Sequence, residues 1–333
     1  MNARAPLNIV ALGNCWELVH PDVIHIPELF AGYSYWMAFT PYPLGNDRLE
    51  NPVIRASRDG LDWRRVPGVP EPLVPPPDSP QMHHADPELL LCQRHLQLVY
   101  LTIRRKTAET TFNVIDCGED LVWGEPKVFG STVGAVSPTL QVEEGVLHEW
   151  YIRNFKLVRR DGPDLFNLGQ EYRCRLDIPN HVPWHIDIQK VGDGYEALVA
   201  AFPWGTDNSR TRLFHLFSKD GLTFVLSRQT PIIRPSLLGW DNKMIYRSSF
   251  TKEQDGTYRI WYSGSSWGLH FGIGLLQGPI GSLKEPRAGH APVPRLTNRI
   301  RYDFLERVRY EKARSRHPTL LTLVEKATRK LVA

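Results

Sequence analysis

The chain has 333 residues, room for one large domain or two ordinary ones, and a formal net charge of +4. Hydrophobic residues make up 42% and charged residues 23%, which suits a packed core and argues against disorder. No run of about 18 apolar residues is present, which excludes a membrane-spanning helix. Met1 to Asn14 lacks the charged start and apolar stretch of a secretion signal, so a cytoplasmic location without a classical signal peptide is expected.

Charge is unevenly spread. From Arg295 to Lys330 eleven Lys and Arg stand against four Asp and Glu, a balance of +7 that leaves −3 for the rest. The body is mildly acidic and no nucleic-acid partner is expected for it. The cysteines Cys15, Cys92, Cys117 and Cys174 show no CxxC and no zinc spacing, so they are expected to be reduced. Ten Trp, an aromatic share of 11%, and 27 Pro against 25 Gly fit many short strands and turns better than a helical bundle.

Five stretches share one layout: His20–Phe39, Ala85–Ile103, Val136–Ile152, His185–Ala201 and Ile245–Gly264. Each opens with a short polar cluster, enters an apolar strand, turns, and continues as an aromatic-rich strand. Four of the turns contain glycine: Ala31-Gly32, Glu144-Gly145, Asp193-Gly194 and Asp255-Gly256. Asp-Gly between alternating runs is a strong hairpin signal. A second repeat, Ser57-Arg-Asp59-Gly60-Leu61-Asp-Trp63, recurs as Ser218-Lys-Asp220-Gly221-Leu222-Thr-Phe224 and, degraded, over 116–123. It falls where the third strand of a unit would turn into the fourth, and a structural turn explains it.

Five four-stranded units arranged radially make an all-β, five-bladed β-propeller over 1–285, with blades opening near 20, 85, 136, 185 and 245. A pair of β-sandwiches would explain the strands but not the polar cluster shared by every unit. In a propeller the start of each inner strand and the loop between the second and third strands face the same end of the axis. The residues aligned as blade openings are Asp22, Asp86, Ser137, Asp187 and Tyr246. The predicted axial pocket therefore holds His20, Asp22, His84, Asp86, Ser137, His185, Asp187, Tyr246 and Arg247. The loops add Tyr42, Glu50, Arg104, Arg153, Asn154, Trp204 and Trp267, with Trp184 beside them.

Three carboxylates on one rim raise at least one pKa, the condition for an acid and a base to coexist at neutral pH, as glycoside hydrolysis requires. Asp22, Asp86, Asp187 and Glu50 are the candidate catalytic carboxylates. Tyr42, Trp184, Trp204 and Trp267 suit the apolar faces of sugars, and Arg104 and Arg247 suit a carboxylate or phosphate. His83-His84 is no metal motif, because adjacent strand residues point opposite ways and neither HxH nor HExxH occurs. No metal ligand and no cofactor are assigned, and a structural ion in the central channel is left open. No Walker loop, GxGxxG or GxSxG elbow is present.

The motifs Pro21-Asp22-Val23, Ala85-Asp86-Pro87, Ser137-Pro138 and Ile186-Asp187-Ile188 resemble those opening the blades of glycoside hydrolase family 43 and its relatives, families 32, 62, 68 and 130. The stretch Tyr35–Pro43 followed by Glu50-Asn51-Pro52 is similar to the first blade of uncharacterised members of that clan. The resemblance covers roughly 19–276. It implies a propeller acting on furanosides or related sugars, with Asp22 as general base or nucleophile and Asp86 or Asp187 tuning the acid. The family's third-blade Glu is absent, since that place reads Val136-Ser137-Pro138-Thr139. The alternatives are a phosphorylase or glycosyl-transferring enzyme on the same fold, and a non-catalytic glycan-binding propeller. A sialidase is disfavoured, because its Asp box has one more residue before the aromatic.

From Asn298 to Leu331 the pattern turns helical, with Pro318 separating two segments. A basic helical extension over 286–333 is predicted, packing on the propeller or meeting an acidic partner or membrane surface.

Overall fold

The computed structural model describes residues 4–11, 15–267 and 270–286. It is a five-bladed propeller. Blade I comprises β1 (Leu18–Phe30), β2 (Tyr33–Pro41) and β3 (Val53–Ser57). Blade II has β4 (Met82–Cys92), β5 (His95–Arg104), β6 (Glu109–Cys117) and β7 (Lys127–Val133). Blade III has β8 (Ala135–Glu143), β9 (Val146–Arg153), β10 (Lys156–Gly162) and β11 (Tyr172–Arg173). Blade IV joins β12 (Arg175–Leu176) to the outer edge of β13 (His181–Val191), β14 (Gly194–Pro203), β15 (Arg212–Ser218) and β16 (Thr223–Leu226). Blade V is β17 (Met244–Lys252), β18 (Tyr258–Ser265) and β19 (Phe271–Gly278). The predicted C-terminal helices lie outside the described residues. Among the described residues no helix is long and apolar enough to cross a membrane.

The apolar cores lie between blades. Trp36 and Ile54 of blade I meet Leu98 and Tyr100 of blade II in one cluster, and Trp150 and Ile152 of blade III meet Val199 and Phe214 of blade IV in another. A strand covered on both faces has no solvent side on which to alternate, which is why β14 reads as a nearly continuous buried run. The N-terminal segment closes the circle. Leu7 N–H donates to Ile273 O of β19 at 2.7 Å, and Leu7, Ile9 and Ala11 pack with Met37 and Phe39 of blade I and Trp261 and Leu275 of blade V.

The Ser-x-Asp-Gly repeat is a structural latch, as expected. Asp59 Oδ1 accepts from the N–H groups of Leu61 and Asp62 at 2.9 Å, and Gly60 O accepts from the indole of Trp261, in the neighbouring blade, at 3.2 Å. Asp220 and Gly221 repeat the arrangement with Trp150 of blade III, whose indole donates to Gly221 O at 2.7 Å. Gly221 is required: its φ is +68°, and a Cβ there would lie 2.9 Å from the Trp150 ring.

A second ring of contacts surrounds the axis. Inner strands are sheet edges, and their axis-facing N–H groups have no strand to pair with. One N–H per blade donates instead to a side chain of the preceding blade. Leu89 N donates to Asp22 Oδ2 (2.7 Å), Leu140 N to Glu88 Oε1 (2.9 Å) and Ile188 N to Thr139 Oγ1 (3.2 Å). Phe250 N donates to Asp187 Oδ2 (3.0 Å), and Val23 N closes the circle on Ser249 Oγ (3.0 Å).

Two outcomes test these contacts. Thr139→Val strips the acceptor from a buried N–H and is expected to cost about 1–3 kcal/mol, read as a lower urea midpoint at unchanged m. Glu149, fully buried on β9 against Arg160, is pushed by burial up to about 7, with Arg160 pulling the other way. A carboxyl whose folded pKa lies above its unfolded value stabilises below the unfolded value and loses that contribution as pH rises through about 7. Thermal melts should therefore shift in favour of Glu149→Gln over wild type between acid and neutral pH, then stay parallel. A pH-independent difference would contradict this.

Candidate active site

The ring just described lies one step below a second layer of side chains, two residues earlier in each inner strand: His20, Asp86, Ser137, His185 and Arg247. At or next to the upper layer the pairing of β1, β4, β8, β13 and β17 with its neighbour slips, in β13 just before His185. In three blades the upper residue precedes a proline and has a left-handed φ: His20 at 55°, Asp86 at 49° and Ser137 at 53°. A residue before proline is pushed toward extended backbone, so each of these conformations costs roughly 1–3 kcal/mol and must be held by its surroundings.

The bulges bring three ligating side chains together. One donor atom from each of His20, Asp86 and His185 lies within 4.8 Å of the others, and all three residues are buried. His20 Nε2 is 3.6 Å and His185 Nδ1 3.5 Å from Asp86 Oδ1. His20 Nδ1 is engaged by Thr40 Oγ1 at 3.2 Å and Glu50 Oε2 at 3.1 Å, and Thr40 donates to the same Glu50 oxygen. His185 Nδ1 meets Ser137 Oγ at 2.9 Å. On both imidazoles Nε2 is buried without a hydrogen-bond partner. Tyr246 covers the pair, its ring 5.1 Å from that of His20 and 4.5 Å from that of His185.

Burial would raise Asp86, but His20, His185 and Arg247 overcome it and hold the carboxyl well below the usual range. Burial pushes His185 down to about 4 despite Asp86, so its ring is neutral at physiological pH. Arg247, fully buried, spans the two layers: 3.5 Å from Asp86 above, and 2.9 Å from Glu88 and 3.9 Å from Asp22 below. One guanidinium cannot neutralise Asp22, Glu88 and Asp187 together. Burial, strengthened by Asp22, lifts Glu88 well above the usual range and Asp187 to about 7. Below them an open cavity of about 640 Å³ leads to the opposite face, lined by His25, Glu28, Lys190 and Lys252 among others.

The expected rim is therefore split. His20, Asp86, Ser137 and His185 converge above, with Glu50 behind His20. Asp22 and Asp187, expected beside them as acid and base, sit in the closing ring, each with one oxygen held by a backbone N–H. The repeat alignment matched Asp22 to Asp86, whereas the bulges match His20 to Asp86. Arg247 is an internal ion partner rather than an open clamp. His84 is spent on Thr102 Oγ1 at 2.9 Å and Pro75 O at 3.1 Å, while its neighbour His83 keeps Nδ1 buried and unpartnered. Arg104 pairs with Glu109 and Arg153 with Glu171, both on the surface. Tyr42 packs edge-on against Phe271 at 4.8 Å. Trp184 stands edge-on to His185 at 5.5 Å, and Trp204 and Trp267 are exposed.

Glu88, Thr40 and Thr139 were not anticipated from the sequence. A signal for two of them is present: His-Pro-Asp22, Asp-Pro-Glu88 and Ser-Pro-Thr139 each place an acceptor directly after a bulge proline.

No protein-family model matches the sequence. The chain is 26% identical over 309 residues to an A type blood N-acetyl-alpha-D-galactosamine deacetylase from Flavonifractor plautii, a match covering 74% of this chain. It spans only 40% of that relative's length. A crystal structure of an N-acetylgalactosamine deacetylase from F. plautii in complex with blood group B trisaccharide superposes with a TM-score of 0.75 at 21% identity, covering 83% of this chain and 95% of that one. A thermostable family-43 glycoside hydrolase matches with a TM-score of 0.58 at 12% identity, covering 87% of this chain and 98% of that one. The chain thus has the five-bladed propeller fold of the family-43 glycoside hydrolases.

Proposed function

We propose that the chain hydrolyses the N-acetyl group of an N-acetylated sugar, with a divalent metal held by His20, Asp86 and His185. The observation that carries this is the donor set: two imidazoles with unpartnered Nε2 atoms beside a carboxylate held ionised. Two histidines and one carboxylate suit Zn²⁺ in hydrolytic sites, with positions left for water and substrate. This revises the expectation of no metal ligand, which rested on sequence spacing. Here the ligands come from three different blades, and no local motif can record that. The similarity to a deacetylase supports a carbohydrate substrate and an amide bond as the target.

When bound, such a metal acidifies water and polarises a carbonyl. The remaining work falls to the chain. Glu50 and Thr40 fix His20 through Nδ1 and leave Nε2 available, and Ser137 does the same for His185. Tyr246 and Trp184 wall the site from bulk water. In the reaction water oxygen joins the acetyl carbon, the C–N bond breaks, and the departing amine takes a proton as acetate leaves. The reacting residues are recessed, with side-chain exposures of 2–4%. An acetyl group can enter such a site more easily than a glycosidic bond flanked by two rings.

Glycoside hydrolysis is the second reading. It is favoured by the two carboxylates Glu50 and Asp86, which flank the His20 ring from opposite nitrogens.

One assay separates the two readings. The protein is incubated with an N-acetylgalactosamine-terminated trisaccharide, and acetate and new reducing ends are measured with and without chelator. Acetate release that is lost on chelation, regained with Zn²⁺ and lowered about 10–100-fold by Glu50→Gln is expected. New reducing ends without acetate would replace the first reading with the second. Acetate release indifferent to chelator would remove the metal from the mechanism.

A further inference from the structure

Trp184 has two sides. One meets His185; the other faces a cleft of about 930 Å³ between blades III and IV, where Phe155, Phe202 and Trp204 join it. Phe155 is 5.7 Å from Trp184 and 6.0 Å from Phe202, ring to ring. A second cavity of about 440 Å³ continues the cleft and shares Phe155, Lys156, Arg173 and Pro183 with it. The first cavity alone has the size of a ligand pocket, and the two together form a groove.

Two features of this groove point to a ligand. The β9–β10 turn is Asn154-Phe155, with φ of 48° and 63°. A two-residue turn with both φ positive favours Asn-Gly, and a bulky side chain in the second place is strained. Phe155 nevertheless stands there, 48% exposed, and Trp204 across the groove is 78% exposed. Exposed aromatic rings facing one another across a cleft are candidate binding positions. The second feature is charge. Arg153, Arg159 and Arg160 of blade III all have carboxylate partners. Among the described residues, Lys156, Arg173 and Arg175 of the groove have none within ion-pair distance. They face Asp177 and Asp207, and Asp207 is tied to its own turn through Ser209 N at 3.0 Å.

We infer that this groove binds the non-reacting arm of an acidic oligosaccharide, its rings stacked on Trp204 and Phe155 and its carboxylate or sulfate groups held by Lys156, Arg173 and Arg175. Aromatic faces bind sugar rings without regard to charge, whereas guanidinium and ammonium groups select anions. The substrate of the proposed deacetylation would then be an N-acetylated glycan that also carries acidic residues. This rests on that reading for the reaction, but the groove is tested by binding alone.

Calorimetric titration compares three tetrasaccharides: alternating N-acetylhexosamine and hexuronate, the same chain with its carboxyls reduced to alcohols, and its sulfated counterpart. The charged chains should bind about 10-fold or more tightly than the reduced one, with the difference shrinking at high salt. The double variant Lys156→Glu/Arg173→Glu, both positions exposed, should abolish that preference, and Trp204→Ala should weaken all three. Equal affinity for charged and reduced chains, preference surviving the double variant, or no binding at all would each overturn the inference. Preference for one charged chain identifies carboxylate or sulfate as the group recognised. Acetate release from a single N-acetylhexosamine glycoside is scored separately. Release without groove selectivity sinks this inference alone, and groove selectivity without release sinks only the reaction.

Discussion

The inner edge of a propeller poses a problem of unsatisfied donors. Five strand edges face one another across a channel too wide for them to pair, and each carries N–H groups that water reaches poorly. Here a side chain from one blade accepts from the backbone of the next, five times around, through Asp22, Glu88, Thr139, Asp187 and Ser249. Three of the five acceptors are carboxyls. That choice puts more negative charge on the axis than a neutral hydroxyl ring would, and it brings Arg247 to the centre. The guanidinium then also reaches the layer above and helps keep Asp86 ionised. The electrostatics of the candidate site therefore begin in the device that closes the fold.

The two layers divide the labour. The lower acids are occupied as acceptors, and burial, reinforced at Glu88 and Asp187 by the charge of Asp22, raises their pKa values, which suits closure. The upper layer holds the neutral imidazole of His185, an ionised carboxylate at Asp86, and Nε2 atoms on His20 and His185 without a hydrogen-bond partner. Left-handed residues before Pro21, Pro87 and Pro138 interrupt the strand pairing between the two layers in blades I to III. Backbone strain at the candidate site is offset by the rigidity of five sheets.

Much of this was legible in the sequence. Turn chemistry at Asp193-Gly194 and Asp255-Gly256, and the Ser-x-Asp-Gly repeat, act within a few residues, so local pattern records them. The blade count and the polar openings followed from them. The register across blades was not legible to two residues, because a bulge adds chain without changing composition. Asp22 was therefore aligned with Asp86 instead of His20, and Glu88 passed as part of an apolar strand. The metal-type grouping of His20, Asp86 and His185 is invisible for a related reason, since each member belongs to a different blade. Glu50 was found because a polar residue on the loop between second and third strands has only one end of the axis to face.

The last bond of the closing ring joins Val23 to Ser249, residues separated by 226 positions. During synthesis Asp22 emerges before blade V, and the circle that buries it cannot close until blade V has left the ribosome. Until then the axial acids remain hydrated and ordinary, and Arg247 has not yet met them. Native contacts of such long range make folding slow, and they leave the edges of blades I and IV open to other strands in the interval. The charge that gives the finished site its character is thus buried in a single late event, in which geometry and electrostatics are completed together.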